Sequence, residues 1–397
     1  MDKGLYIHIP FCGSKCHYCN FISVPNPDPE IRSRFFRCLF SEINRAQRQY
    51  GTLEFDTLYL GGGTPSLLTT DEMAGLLEKI REHFKFRPDA EVTCEWNPGD
   101  RRLPGGEDDP ARAKTFSSLG INRISLGAQT FDDSLLARLG RRHTSRDTIL
   151  TIERIRNAGL SNISLDLMLR IPGQTAEDFQ KSIEKAVELG VSQISLYDLE
   201  IHAGTVFGRL DRDKKLDLPD ERVHAAMYEL ACHRLPNAGY QHYEISNFAK
   251  PPSERHPEGF FSRHNLVYWR NGEYLGLGPG AFSYLSGVRR QFARDLERYL
   301  RKCESEDWTN DVEDVLTNEE KEIESLAMRL RLAEGVNPAD FPLANSRVSR
   351  NLEELLQEGF LKREGMKIRL TPRGQFLSED VFGFLLRKDD AGNCQAL

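Results

Sequence analysis

Three cysteines, Cys12, Cys16 and Cys19, sit close together in the stretch IPFCGSKCHYCNF, spaced CxxxCxxC and directly behind an apolar run. Thiolates bind soft and borderline metals and carry redox chemistry, and their number narrows the options. A structural zinc site takes about four nitrogen or sulfur ligands, and His8 or His17 is on hand as the last one. A redox dithiol needs only CxxC, which Cys16 and Cys19 supply by themselves. Three thiolates also fit a 4Fe-4S cluster in which one iron lacks a protein ligand and keeps a coordination position for a small molecule. Spacing alone leaves all three readings open. The other cysteines, Cys38, Cys94, Cys232, Cys303 and Cys394, are scattered along 397 residues and make no disulfide framework, which suits a reducing compartment.

Further along, Glu95 in TCEWNP, Gln129 in SLGAQTF and Asp166 in ISLDLML each interrupt an apolar run. A polar group in such a place is either satisfied inside the core or turned toward a ligand. GGGTPS, residues 61–66, offers backbone without Cβ atoms that a ligand can approach, and read alone it is equally a tight turn. Arg141 in LGRRHT supplies a cation for a carboxylate, or belongs with Arg142 to a solvated basic run. Tyr6 and Tyr18 flank the thiols, as packing rings or as cofactor contacts.

These residues need a scaffold, and the chain shows one. Short β-rich runs recur: LYIHIP from Leu5, DTLYLGGG from Asp56, EVTCEWNP from Glu91, NRISLGAQ from Asn122, NISLDLML from Asn162 and QISLYDLEI from Gln193. Helical segments lie between them, such as TTDEMAGLLEKIREHF, where Thr and Asp can cap and apolar residues recur at spacings of three and four. Strand and helix alternating in this way predict an α/β fold with a parallel sheet built of right-handed units, an open or closed barrel rather than a doubly wound nucleotide-binding sheet. Most of the candidate residues would then stand at strand ends, where barrels gather their chemistry. Two polar Gly/Pro-rich stretches, 98–111 and 250–259, read as loops. The reading divides the chain into a barrel over 1–245, a connecting segment over 246–295 and a smaller, mainly helical, winged-helix-like unit over 296–397.

Taken together, these motifs resemble the radical SAM superfamily, in which the open iron of the cluster binds the amino and carboxylate groups of S-adenosylmethionine (SAM). The resemblance implies a partial (β/α)6 TIM-like barrel, with Cys12, Cys16 and Cys19 on the cluster and Gly63, Thr64 and Pro65 at the SAM amino group. Tyr6, Tyr18, Glu95, Gln129, Arg141 and Asp166 become candidate cofactor contacts. LYIHIPFCGSKCHYCNF, GGGTPS, SLGAQTF, LDLMLRIPGQT and YEISNFAKP are similar in detail to the group that holds the oxygen-independent coproporphyrinogen III oxidases and the HemW-like heme chaperones. The oxidases carry a further cysteine two residues after the third, where this chain has Phe21. HemW-like proteins carry HNxxYW, reproduced here as His264-Asn265-Leu266-Val267-Tyr268-Trp269. An imidazole beside flat aromatic surface suits heme, so His264 is a candidate heme contact, although an isolated histidine among aromatics is more often a packing residue. Where relatives commonly read Tyr-Gly-Leu-Pro-Gly-Gln-Thr, this chain has Leu169-Arg170-Ile171-Pro172-Gly173-Gln174-Thr175, a bulky cation at a usual glycine.

The resemblance therefore implies a heme chaperone using a radical SAM scaffold, delivering heme to acceptor proteins, among them respiratory membrane proteins, without coproporphyrinogen oxidase activity. The alternative it implies is the oxidase itself, decarboxylating propionates by radical chemistry. Homodimerisation stays open. A zinc-binding barrel without redox chemistry is a third reading. The net charge of −7 argues against a general nucleic-acid binder. With no apolar stretch near the roughly 18 residues of a membrane span and no signal-peptide pattern in MDKGLYIHIPFC, a cytoplasmic protein is expected.

Overall fold

The computed structural model describes residues 2–99, 109–254, 256–342 and 346–387; most of the 98–111 loop, Arg255 and Cys394 lie outside the described residues. Six strands, Lys3–Ile9, Glu54–Gly62, Lys85–Trp96, Arg123–Gln129, Ile163–Leu169 and Gln193–Asp198, pair in parallel in chain order. They are the six that the sequence predicts. Helices Pro29–Tyr50, Thr70–His83, Asp109–Ser118, Ser145–Asn157, Ala176–Glu188 and Glu221–Asn237 return the chain between or after them. Several helix starts are fixed by reciprocal capping boxes, Thr69 with Glu72, Thr144 with Asp147 and Thr175 with Asp178.

Register separates the two faces of the sheet. One row across the strands runs Leu60, Cys94, Ile124, Ile163, all buried. The adjacent row runs Tyr6, Tyr59, Thr93, Arg123, and others run Glu95, Ser125, Ser164, Gln193 and Gly127, Asp166, Ser195, Asn247. Since neighbouring residues on a strand face opposite ways, the sheet is apolar toward its helices and polar toward its own concave side. The helices supply the matching face: Phe35, Leu39 and Ile43 of Pro29–Tyr50 are fully buried one turn apart. Each such side chain contributes about 1.5–3 kcal/mol by leaving water.

The sheet does not stop at the sixth strand. Glu273–Leu277 pairs in parallel with the first strand, followed outward by the antiparallel strands Phe282–Leu285, Val288–Gln291 and Val312–Val315, while Asn247–Ala249 and Gln241–Glu244 extend the other edge, making 12 strands in all. Residues 246–295, read from sequence as the connecting segment, supply four of these strands and the short helix Arg263–Trp269, and a further, mainly helical unit follows Val315. That unit comprises helices Asn318–Leu330, Ser346–Gln357, Pro372–Phe376 and Ser378–Leu386 and the hairpin Leu361–Glu364 with Lys367–Leu370. It has its own core, including Leu326, Leu330, Val348, Leu352, Ile368 and Leu385. It joins the barrel through backbone: Ala333 N–H donates to the Tyr243 carbonyl at 2.9 Å and Ile245 N–H to the Arg331 carbonyl at 3.2 Å.

The short helix Arg263–Trp269 closes the amino-terminal end of the barrel. Its first amides, on Arg263 and His264, donate to the Glu91 carboxylate, each at 3.0 Å, so an acidic side chain from the third strand anchors the positive end of the helix. None of the helices among the described residues is long and apolar enough to cross a membrane.

Candidate functional site

At the opposite, carboxyl-terminal end of the strands lies a pocket of about 540 Å³. That is within the roughly 300–1,000 Å³ usual for small-molecule sites. Its lining brings together Cys12, Cys16, Tyr18, Cys19, Gly63, Thr64, Glu95, Gln129, Arg141 and Asp166, which is ten of the thirteen residues singled out from sequence. Pro65 sits just behind, buried in a single helical turn of 65–67. Tyr6 lies deeper in the barrel, stacked on Tyr59 at 6.1 Å, with its hydroxyl 3.1 Å from His8 Nδ1.

The thiols are held by donors. Thr64 Oγ1 donates to Cys12 Sγ and Arg141 Nη1 to Cys16 Sγ, both at 3.6 Å. Arg141 also donates through Nη2 to Asn97 Oδ1 at 2.7 Å and to the Gly127 carbonyl at 2.6 Å, and Asn97 Nδ2 donates to Thr64 Oγ1 at 2.7 Å. One network thus ties two of the thiols to the ends of three strands. Burial raises the pKa of Cys12 and Cys19. A cationic metal group offsets that cost by pairing with the thiolates.

The glycine motif positions the loop. A Cβ on Gly63 would lie 2.6 Å from the Phe11 carbonyl oxygen and 2.8 Å from that of Ile9, so only glycine lets the second strand's end meet the cysteine loop this closely. Gly63 and Thr64 use the approach, donating their amides to those same carbonyls of Ile9 and Phe11.

Neither histidine considered as a last zinc ligand faces the thiols. His8 donates Nε2–H to the Ile22 carbonyl at 2.8 Å, and His17 donates Nδ1–H to the Arg138 carbonyl at 2.8 Å. Among the described residues no three histidine, cysteine or carboxylate side chains converge closely enough for a single metal ion. Three thiols, donors to two of them and a pocket beside them fit a group wider than one ion, with one corner left to a small molecule.

Two carboxylates face the same space. Glu95 accepts from Gly62 N–H at 2.9 Å and from Tyr59 OH at 3.0 Å, and Asp166 accepts from Ser125 Oγ at 3.3 Å. Burial pushes each up to about 7, against which those hydrogen bonds and, for Asp166, nearby Arg123 work. Gln129 stands at a β-bulge with φ of 67°, a left-handed backbone for a non-glycine residue, which re-aims the strand end.

The structure does not bring His264 to this pocket. It lies at the closed end of the barrel, 2% exposed, not in the pocket. Nδ1 is hydrogen-bonded to Thr57 Oγ1 at 2.7 Å and Nε2 to Tyr268 OH at 2.9 Å, and the ring stacks on Tyr59 at 5.1 Å. Burial pushes its pKa down to about 3. Both ring nitrogens therefore have hydrogen-bond partners inside the fold. Arg170 is resolved as well: its φ of 65° explains why glycine is usual there, and it is not among the pocket-lining residues.

Sequence reasoning passed over Asn97, Tyr59, Ser125, Tyr197 and His202, all of which line the pocket. Tyr59 carried a signal, since it is two residues from Gly61 on the same strand and so shares its face, and Asn97 follows the strand end two residues after Glu95.

The Radical SAM superfamily profile matches residues 6–186 and the HemN C-terminal domain profile residues 316–377. The chain is 35% identical to a heme chaperone HemW of Lactococcus lactis over 98% of each chain. It is 33% identical to that of Bacillus subtilis over 97% of this chain and 99% of the relative. A mitochondrial radical S-adenosyl methionine domain-containing protein 1 of Danio rerio is 30% identical over 97% of this chain and 87% of its own. Among solved structures, coproporphyrinogen III oxidase (HemN) of Escherichia coli superposes with a TM-score of 0.82 at 20% identity, covering 97% of this chain and 90% of the other.

Proposed function

The chain belongs to the radical SAM superfamily, in the HemN-like group and nearest its HemW branch, and on that premise we propose that it binds heme and passes it to acceptor proteins from a scaffold carrying a 4Fe-4S cluster and SAM. When bound, the cluster offers one iron without a protein ligand, on which the amino and carboxylate groups of SAM coordinate. Cys12, Cys16 and Cys19 would hold that cluster. Thr64 and Arg141 stabilise thiolate charge on Cys12 and Cys16, and we assign the SAM carboxylate to the Arg141 guanidinium. The Gly63 turn fixes the loop, with Pro65 stiffening it from behind. Glu95 and Asp166 hold protons or accept hydrogen bonds from a polar ligand, Gln129 is aimed from its bulge, and Tyr18 covers the thiols.

The observation that carries the chaperone reading over the oxidase is the end of the cysteine loop. Where the oxidases have a further thiol, this chain puts Phe21 at the pocket rim, 66% exposed. A soft metal ligand is replaced by apolar surface. An acceptor of the transferred heme fits the same reading, and so does a homodimer, with the chain acting inside the cell.

Anaerobically loaded protein titrated with hemin tests this. A saturable Soret band is expected, together with no protoporphyrinogen from coproporphyrinogen III, SAM and reductant. Absence of any heme spectrum, or many oxidase turnovers, overturns it.

A further inference from the structure

On the proposed function, a cluster on the three thiols and SAM beside it would fill the deep end of the pocket of about 540 Å³, which would leave a porphyrin the rim. The rim is unlike the rest of the surface. Among the described residues five large apolar side chains stand exposed, and two of them, Phe21 at 66% and Tyr197 at 43%, line this one pocket. Exposed aromatic surface at the mouth of a cavity marks a binding site for something flat and apolar.

The same rim carries an imidazole. All ten histidines of the chain are described, and His202 is the one that lines the pocket. Its side chain is 38% exposed. Its Nε2 lies 3.3 Å from Glu200 Oε2, while Nδ1 makes no hydrogen bond to the described residues. A carboxylate on one ring nitrogen is the usual device for orienting a metal-binding imidazole and fixing its tautomer.

The backbone beneath both groups is fixed. The His202 carbonyl accepts Thr205 N–H at 3.0 Å and Thr205 Oγ1–H at 2.7 Å, and a Cβ on Gly208 would lie 2.1 Å from it. Phe207 N–H donates to the His17 carbonyl at 3.0 Å, tying this segment to the cysteine loop. A small separate core joins the two, with Leu199, Phe207, Met168 and Leu139 packed against Tyr18 and Ile201. On the other side Lys15 Nζ donates to the Phe21 carbonyl at 2.6 Å and to Ser23 Oγ at 2.8 Å, holding the turn that presents Phe21.

We propose that heme docks on this rim, against Phe21 and Tyr197, with its iron on the His202 imidazole. The proposal rests on the heme-chaperone reading above. The neutral imidazole gives a nitrogen lone pair to ferric iron and displaces a water, with no change in oxidation state. A cargo at the rim of a fixed loop remains reachable by an acceptor, as a transferable ligand requires.

The test is hemin titration of the full-length, cluster-loaded protein, read by Soret absorption and by electron paramagnetic resonance of the ferric heme, for wild type, His202→Ala, His202→Met, Tyr197→Phe and His264→Ala. Iron and sulfide content shows that each variant keeps its fold and cluster. His202→Ala is expected to weaken hemin binding by about tenfold or more and to remove the nitrogen-ligand signature. His202→Met is expected to restore binding with an altered spectrum, and Tyr197→Phe and His264→Ala to keep the wild-type ligand signature. Unchanged affinity and spectrum in His202→Ala, or loss of the signature in Tyr197→Phe or His264→Ala alone, overturns the assignment while the chaperone reading stands. A wild type that binds no heme overturns both.

Discussion

Arg141 shows how much one side chain can coordinate. Its guanidinium reaches a thiol, a side-chain amide and a strand carbonyl on separate elements. Lysine keeps the charge but cannot fork in this way. On the proposal that it takes the SAM carboxylate, Arg141→Lys is expected to keep the cluster and weaken SAM binding by about ten- to a hundredfold, the scale of one charged hydrogen bond of about 1.5–3 kcal/mol. Calorimetric titration of the anaerobically loaded variant checks this, and equal affinities would remove Arg141 from the SAM site. Residue identity in the sequence located Arg141 but not its partners. Asn97 escaped notice although it lies two residues from Glu95, because its part in the network shows only once Thr64 and Arg141 are placed beside it. The surroundings of His264 were illegible for a related reason: aromatic neighbours signal either a ligand pocket or a packed interior, and only the fold shows Thr57 and Tyr268 beside its two nitrogens.

At the scale of elements, the close approach at Gly63 sets the cysteine loop against the second strand. Gly63→Ala puts a methyl group against two carbonyl oxygens that cannot both retreat. The variant is expected to fold and yet retain less than about half the iron and sulfide of wild type after anaerobic reconstitution, since strain of this kind costs on the order of 1–3 kcal/mol. Full cluster content would show that the loop has slack. A second junction lies outside the site. Glu42 of helix Pro29–Tyr50 accepts from Tyr299 OH at 2.7 Å and from Gly278 N–H at 2.9 Å, joining three elements. Burial pushes its pKa from 4.5 up to about 7. The folded state therefore holds this proton after the unfolded chain has released it, so the group's contribution falls as pH rises between those values, by about 3 kcal/mol in all. Urea unfolding at pH 5 and pH 8 is expected to show a smaller loss for Glu42→Gln than for wild type; equal losses would show that Glu42 titrates normally. The six parallel strands were legible because short, buried apolar runs with capped helices between them have few other uses. The strands after Glu273 were not, since a glycine- and aromatic-rich stretch reads equally as a motif.

For the whole molecule, the carboxyl-terminal unit covers an edge of the sheet. Ala333 and Arg331 share backbone hydrogen bonds with Tyr243 and Ile245, and the Arg331 guanidinium lies 4.3 Å over Trp269 of the helix that closes the barrel. An uncovered edge strand pairs with other chains. Removing residues 317–397 is expected to give a protein that aggregates on size-exclusion chromatography with light scattering, and a stable monomer would show the barrel to be self-sufficient. The closed floor also bears on traffic. With Arg263–Trp269 shutting one end, small molecules come and go at the thiol end, and on the proposal above a porphyrin on the rim would stand between SAM and bulk water. Loading should then be sequential, last in and first out: hemin is expected to slow the escape of radiolabelled SAM in a filter-binding chase, and the pigment must leave before the nucleoside beneath it can be replaced.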